Sequence, residues 1–207
     1  MADSNITKRA LAAALKELME EFPFIKISVA DICAKCDINR KTFYYHFKDK
    51  YDLVNWIHDT EFMEAIRRKS YTSGWEFLED LCDYLYANKT FYRRVLKVKG
   101  QNSFSEHFRE LLLPVLTSSW NDILVGQNEK DFYVNFFADA YSCSIERWLL
   151  EENCIDSKEF FSLLKSCALH TSFKIIKDMI RRRELEHFVT LAASARALAL
   201  DSQFSSF

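Results

Sequence analysis

The chain has 207 residues, 49% hydrophobic and 28% charged, which is enough apolar material for a buried core and outside the composition of a disordered chain. Three glycines (Gly74, Gly100, Gly126) and two prolines (Pro23, Pro114) stand where average usage gives roughly 14 and 10, a scarcity that speaks against hairpin-rich sheets and glycine-rich phosphate loops and leaves an all-α chain. With 28 basic and 30 acidic residues the net charge is −2, so attraction to a polyanion has to come from a local patch.

Residues 6–22 set Ile6, Ala10, Leu11, Ala14, Leu15, Leu18, Met19 and Phe22 at three- and four-residue intervals, the pattern of an amphipathic helix closed by Pro23. Ser28-Val29-Ala30-Asp31 has the form of a capping box and opens a short second helix to about Cys36, with Ile32, Cys33 and Cys36 inward. A turn through Asp37-Ile38 leads to Asn39, a good N-cap for a third helix over about 39–46. Phe43 and Phe47 form its core stripe, which leaves Arg40, Lys41, Thr42, Tyr45 and His46 on other faces. Between 26 and 50 six basic residues (Lys26, Lys35, Arg40, Lys41, Lys48, Lys50) oppose three acidic ones (Asp31, Asp37, Asp49), so this segment is +3 and supplies the local patch. Asp49-Lys50-Tyr51-Asp52 can cap a longer fourth helix, with Leu53, Trp56, Ile57 and Phe62 apolar, running towards Arg68.

From Ser73 the texture changes: 15 of the 76 residues from Trp75 to Leu150 are aromatic, which predicts a series of helical segments separated at Asn88-Lys89, Gly100-Gln101-Asn102 and Gly126-Gln127-Asn128. Apolar or small pairs recur every four residues from Phe132/Tyr133 to Trp148/Leu149, and a second stripe follows through Phe160/Phe161, Leu163/Leu164, Cys167/Ala168, Ile175 and Met179. The tail beyond Arg181 carries a basic triplet and an Ala- and Leu-rich stretch and is assigned no role.

No run of 18 apolar residues occurs and MADSNITKRA lacks a signal-peptide pattern, so no membrane association is expected and the cytoplasm is the expected location. The six cysteines (33, 36, 82, 143, 154, 167) read there as small buried side chains without disulfides. Cys33 and Cys36 form a CxxC with no second pair or suitably spaced histidine, and the five histidines (46, 58, 107, 170, 187) form no HExxH and no i,i+4 pair. Neither a metal site, a cofactor nor a catalytic residue is expected, because no nucleophile motif, paired-carboxylate constellation or nucleotide loop is present.

Two short helices joined by a tight turn, the second basic and aromatic, describe a helix-turn-helix whose second helix can enter the major groove. The strings Ile27-Ser28-Val29-Ala30-Asp31-Ile32 and Ile38-Asn39-Arg40-Lys41-Thr42-Phe43-Tyr44-Tyr45-His46-Phe47-Lys48-Asp49-Lys50, with Leu53 after them, resemble the DNA-binding signature of the TetR family. Asp37 stands where that signature usually has glycine, and aspartate tolerates positive φ better than most residues. The C-terminal part resembles, less specifically, the subgroup of DhaS-like activators of dihydroxyacetone kinase genes. That likeness rests on Asn88-Lys89-Thr90-Phe91-Tyr92-Arg93-Arg94-Val95-Leu96, Ser103-Phe104-Ser105-Glu106-His107-Phe108 and Glu146-Arg147-Trp148-Leu149-Leu150.

The resemblance implies a dimeric regulator of transcription that binds double-stranded DNA. Its organisation would be a helix-turn-helix domain over 1–52, a connecting helix over 53–72, an effector-sensing and dimerisation bundle over 73–182, and a tail of uncertain order over 183–207. Arg40, Lys41, Thr42, Tyr45 and His46 would face base edges or the adjoining backbone, with Arg40 the first choice for direct readout, while Ser28, Tyr44, Lys48 and Lys50 would hold phosphates. The bland alternative for these residues is a solvated helix face, and Tyr44 serves equally as half core. Tyr86, Tyr92, His107, Trp120 and Tyr141 are candidates to line an effector cavity, since each adds a polar tip to an apolar body, although most aromatics at helical spacing are core. In such a regulator the last two long helices pair with those of a second copy. A small-molecule effector or a partner protein would control the DNA affinity. The rival readings are a helical enzyme, for which no convergent polar site is visible, and a protein-interaction module that does not bind DNA.

Overall fold

The computed structural model describes the backbone of residues 2–66, 69–71, 73–98, 104–120 and 127–204, and the side chains of 4–66, 69–71, 73–98, 104–117 and 130–182. Among them every regular element is helical: α1 (Ala2–Glu21), α2 (Val29–Lys35), α3 (Arg40–His46), α4 (Lys50–Ile66), α5 (Gly74–Ala87), α6 (Lys89–Leu96), α7 (Phe104–Trp120), α8 (Gln127–Leu150) and α9 (Ser157–Phe204). A single 3-10 turn, Phe24–Lys26, lies between α1 and α2 where the sequence predicts only a stop at Pro23. The end of the fourth helix at Arg68 and the break at 100–102 fall outside the described residues.

Residues 1–162 form one compact unit. Its N-terminal helices meet because each buries one stripe: Leu11, Leu15 and Met19 of α1, Ile32 and Cys33 of α2, Phe43 of α3 and Leu53 and Ile57 of α4 are all nearly inaccessible. Ile6 and Phe22, expected on the inward stripe of α1, are instead exposed, because the stripe that meets α2 and α4 is set by Leu11, Ala14 and Leu15. The chain continues without a change of core into the rest of the unit, where α1 also touches α6, α4 packs on α5 and α7, and α7 lies along α8.

The close of α8 is built without glycine. Arg93 on α6 reaches the last turn of α8, its Nε donating to the Leu149 carbonyl at 2.6 Å and its guanidinium also to those of Glu151 and Glu152. The carbonyls that a helix end leaves unpaired are thereby satisfied by a cation, which the helix dipole also favours. Trp148 is stacked between Phe160, at 4.1 Å, and Tyr86, at 5.7 Å, and its indole N–H donates to the Ile155 carbonyl.

The second unit, residues 163–207, is the remainder of α9. On it Leu163, Leu169, Phe173 and Ile180 are exposed, as is Cys167. On α8, within the first unit, Phe132, Phe136 and Cys143 are exposed as well. The expectation of six buried cysteines therefore holds for Cys33 and Cys82, while Cys36 and Cys154 are half-buried and Cys143 and Cys167 lie on outward helix faces. No helix among the described residues is long and apolar enough to cross a membrane.

Candidate nucleic-acid interface

The region begins with two caps that the sequence announces. Ser28 and Asp31 close a reciprocal capping box on α2, the Asp31 N–H donating to Ser28 Oγ at 3.2 Å and the Ser28 N–H to Asp31 Oδ2 at 2.8 Å. The hydrogen bonds from Ser28 hold the Asp31 carboxyl below its ordinary range. At the other end Asp37 takes φ 53°, and the N–H groups of Asp37 and Ile38 return to the carbonyls of Ala34 and Cys33. This is a Schellman closure with a non-glycine residue at its left-handed position. Asn39 then caps α3, its Oδ1 accepting from the Thr42 N–H at 2.8 Å and from the Thr42 hydroxyl at 3.1 Å.

These closures aim a seven-residue α3 outward. Phe43 is fully buried and meets Phe47 at 5.8 Å, which anchors one face. On the other faces Arg40 and Lys41 are exposed, Tyr44 is 58% exposed and Tyr45 83%. Arg40 and Tyr44 lie four apart, as do Lys41 and Tyr45, so cation and ring alternate on adjacent rows of the same surface. His46 is half-buried with its ring 5.0 Å from that of Tyr45, and Lys48 is exposed just past the helix. Among the described residues Arg40, Lys41 and Lys48 form no ion pair within the chain. A tyrosine held as far out as Tyr45 gains almost nothing from folding, so its placement suits an external partner.

Three of the predicted contact residues are engaged in other ways. The Ser28 hydroxyl donates to Asp31 at 2.6 Å and the Thr42 hydroxyl to Asn39, so both hydrogens are committed to caps. Lys50 does not present its ammonium to solvent, because Nζ donates to the carbonyls of Phe24, Ile25 and Ile27. Ser28 and Lys50, expected to hold phosphates, thus each make hydrogen bonds within the chain. The CxxC is part of this core too, with Cys33 buried and the Cys36 thiol donating to the Ile32 carbonyl at 3.2 Å. Burial holds both thiols above their ordinary range.

The candidate effector residues do not all converge. Tyr92 and His107 come together around His58 of α4: the Tyr92 hydroxyl meets His58 Nδ1 at 2.7 Å, and the two histidine rings lie 6.5 Å apart. His107 pairs through Nε2 with Asp59 at 2.7 Å. Tyr86 belongs to the Trp148 stack with the Lys89 ammonium 4.0 Å from its ring centroid, and Tyr141 is buried against Phe137. The Trp120 side chain lies outside the described residues. Around His58 the rings of Phe62, Tyr84, Phe104 and Phe108 close a packed shell. From it a polar chain runs outward: the Tyr84 hydroxyl, on a ring 6.1 Å from that of Tyr92, donates to Glu61 at 3.4 Å, and Glu61 is ion-paired with Lys16 of α1. The sequence missed His58, Glu61 and Tyr84, because partners 23 to 45 residues apart leave no local spacing to read. Among the described residues no group of three or more His, Cys, Asp or Glu side chains is placed to hold a metal ion.

Residues 10–57 match the family model described as bacterial regulatory proteins, tetR family, and residues 75–169 match that of a transcriptional regulator C-terminal region. The chain is 32% identical over 157 residues to the HTH-type dhaKLM operon transcriptional activator DhaS of Lactococcus lactis, covering 71% of this chain and 81% of that protein. In structure it is similar to a dihydroxyacetone kinase operon activator DhaS, with a TM-score of 0.60 and 26% identity over 80% of this chain and 96% of that one. A TetR transcriptional regulator from Streptococcus agalactiae shares the fold, with a TM-score of 0.61 and 18% identity over 80% of this chain and 95% of the other.

Proposed function

We propose, for a chain that belongs to the TetR family of transcriptional regulators, that it binds a roughly palindromic operator as a homodimer whose affinity is set through the C-terminal part. The observation that carries this reading is the exposed, alternately basic and aromatic surface of α3, capped at its start by Asn39 and lying inside the segment matched to the family's N-terminal domain. Arg40 is assigned to direct readout, since its guanidinium can give two hydrogen bonds to O6 and N7 of guanine, worth roughly 1–3 kcal/mol of discrimination. Lys41, Tyr45 and His46 face neighbouring base edges or backbone, and Tyr44 and Lys48 hold phosphates that orient the helix without reading sequence. Thr42 and Ser28 contribute through the caps they complete.

By role, residues 1–52 bind DNA, 53–72 connect, 73–182 sense and dimerise, and 183–207 form a tail. Exposed Phe132 and Phe136 on α8, and separately Leu163, Leu169, Phe173 and Ile180 on α9, support a second copy as the partner. Such a dimer sets its recognition helices in successive major grooves about 34–36 Å apart, which is why the operator is expected to be palindromic. An effector that binds one spacing of the two parts better than the other shifts DNA affinity by that difference alone. The protein is assigned to the cytoplasm, where its DNA lies, and no catalytic step is assigned to it.

The likeness to the DhaS activators makes a dihydroxyacetone kinase operon the proposed target. A second reading has a partner protein in place of a small molecule, and the packing around His58 favours it: His58, Tyr92, Phe104 and Phe108 are each no more than 3% exposed and fill that core themselves.

The test is selection of bound fragments from sheared source-genome DNA at two salt concentrations, with Arg40→Ala in parallel. A palindromic site recovered by the wild type and lost or relaxed at one position in the variant is the expected result. Enrichment of nothing above a salt-sensitive background, with and without a cognate partner protein, would remove the DNA reading and leave the interaction module. A metabolite panel against that partner protein then separates the two modes of control.

A further inference from the structure

Lys50 is the first residue of α4, a position where the helix dipole opposes a positive charge. Its ammonium turns back on the chain, to the carbonyl oxygens of Phe24 at 2.8 Å, Ile25 at 3.1 Å and Ile27 at 2.7 Å. An ammonium carries three donors, and three acceptors use them all. Nζ also lies 4.6 Å from the centroid of the Phe24 ring and 5.7 Å from that of Tyr51, two rings that themselves meet edge to face at 5.4 Å. The acceptors are the carbonyls of the 3-10 turn and its exit, of which that of Phe24 also takes the Ile27 N–H at 3.2 Å. Phe24 and Ile27 are buried by side chain while their carbonyls point to Lys50, so the turn is held from both sides.

We infer that Lys50 is a positioning residue of the DNA-binding part, an internal clamp that seats the 24–27 turn on α4, and not a contact to phosphate. Ile27 is followed directly by Ser28, the N-cap of α2, and α2 is fixed to α3 by the closure at Asp37. The clamp therefore sets where the helix-turn-helix starts. To take the ammonium, a phosphate would have to displace three charge-assisted hydrogen bonds, whereas exposed Lys41 and Lys48 offer theirs without that loss. Burial holds the Lys50 amine below its ordinary range. The clamp itself stands on the geometry alone; its consequence for operator binding rests on the DNA reading of α3.

Lys50→Arg, Lys50→Met and Lys48→Ala are compared with the wild type by thermal unfolding without DNA, and by the salt dependence of binding to the selected operator fragment. Arginine keeps the charge and can still reach a phosphate, but its broad planar head does not fit one compact cluster of carbonyls. Both Lys50 variants are expected to melt roughly 3–6 °C lower with the wild-type salt slope. Lys48→Ala is expected to melt normally and to lower the slope by about one. A Lys50→Arg protein that melts like the wild type overturns the clamp, and so does a Lys50→Met slope that falls by about one. If Lys50→Met does not fold, Lys50→Arg decides by both readouts. If the wild type selects no operator, the DNA reading has failed on its own and the melting comparison still decides the clamp.

Discussion

His58 is completely buried, with Nδ1 paired to Tyr92 and Nε2 buried without a partner among the described residues. Burial pulls its pKa down to about 4 from the ordinary 6.5; Asp59 opposes this and His107 adds to it. Between those two values the unfolded chain binds a proton that the folded chain refuses, so stability falls as pH drops from about 7 towards 4 and levels off below. The wild type is expected to lose about 2 kcal/mol between pH 7 and pH 5 through this group. Urea unfolding at the two pH values checks it: His58→Leu should be less stable at pH 7 but should have lost that part of the pH dependence. Equal slopes for the two proteins would remove His58 as the cause.

At the scale of single elements, the tight turn after α2 is the most exacting piece of backbone described here, since Asp37 holds φ 53° where glycine would carry no Cβ penalty. Asp37→Gly is expected to raise stability by roughly 0.5–1 kcal/mol, measured by denaturant unfolding, with operator affinity unchanged. A destabilised variant would show that the aspartate side chain contributes more than its backbone strain costs. The elements around this turn were legible because their signals are local. Ser28 with Asp31 and Asn39 with Thr42 are caps read three residues apart, and Phe43 with Phe47 is a stripe read at four. The 3-10 turn at Phe24–Lys26 is not legible, being one turn with no periodicity, and neither are the bonds that Lys50 makes to its carbonyls. The stripe of α8 is legible only as a stripe: Phe132 and Phe136 repeat at helical spacing, and spacing alone does not say which apolar pairs are covered within the chain.

For the molecule as a whole, the exposed aromatics of α8 make oligomeric state the property to measure. Phe136, 50% exposed, is expected to lie in the dimer interface. Phe136→Glu should sediment as a monomer at micromolar concentrations with unchanged helical content, while the wild type sediments as a dimer; a monomeric wild type would sink the dimer. The monomeric variant is also expected to bind the operator at least about a hundredfold more weakly, since the second half-site is no longer held at high local concentration. That loss bears on how the protein finds one address in a genome. Recognition helix α3 has seven residues and is about 10 Å long, so it spans about three base pairs. Two copies read about six, a word that recurs by chance roughly every 4,000 base pairs and is far too common to single out one site among millions. On this reading the remaining information would lie in bases that no side chain touches, written as groove width and ease of bending and read through the phosphates that Tyr44 and Lys48 are proposed to hold.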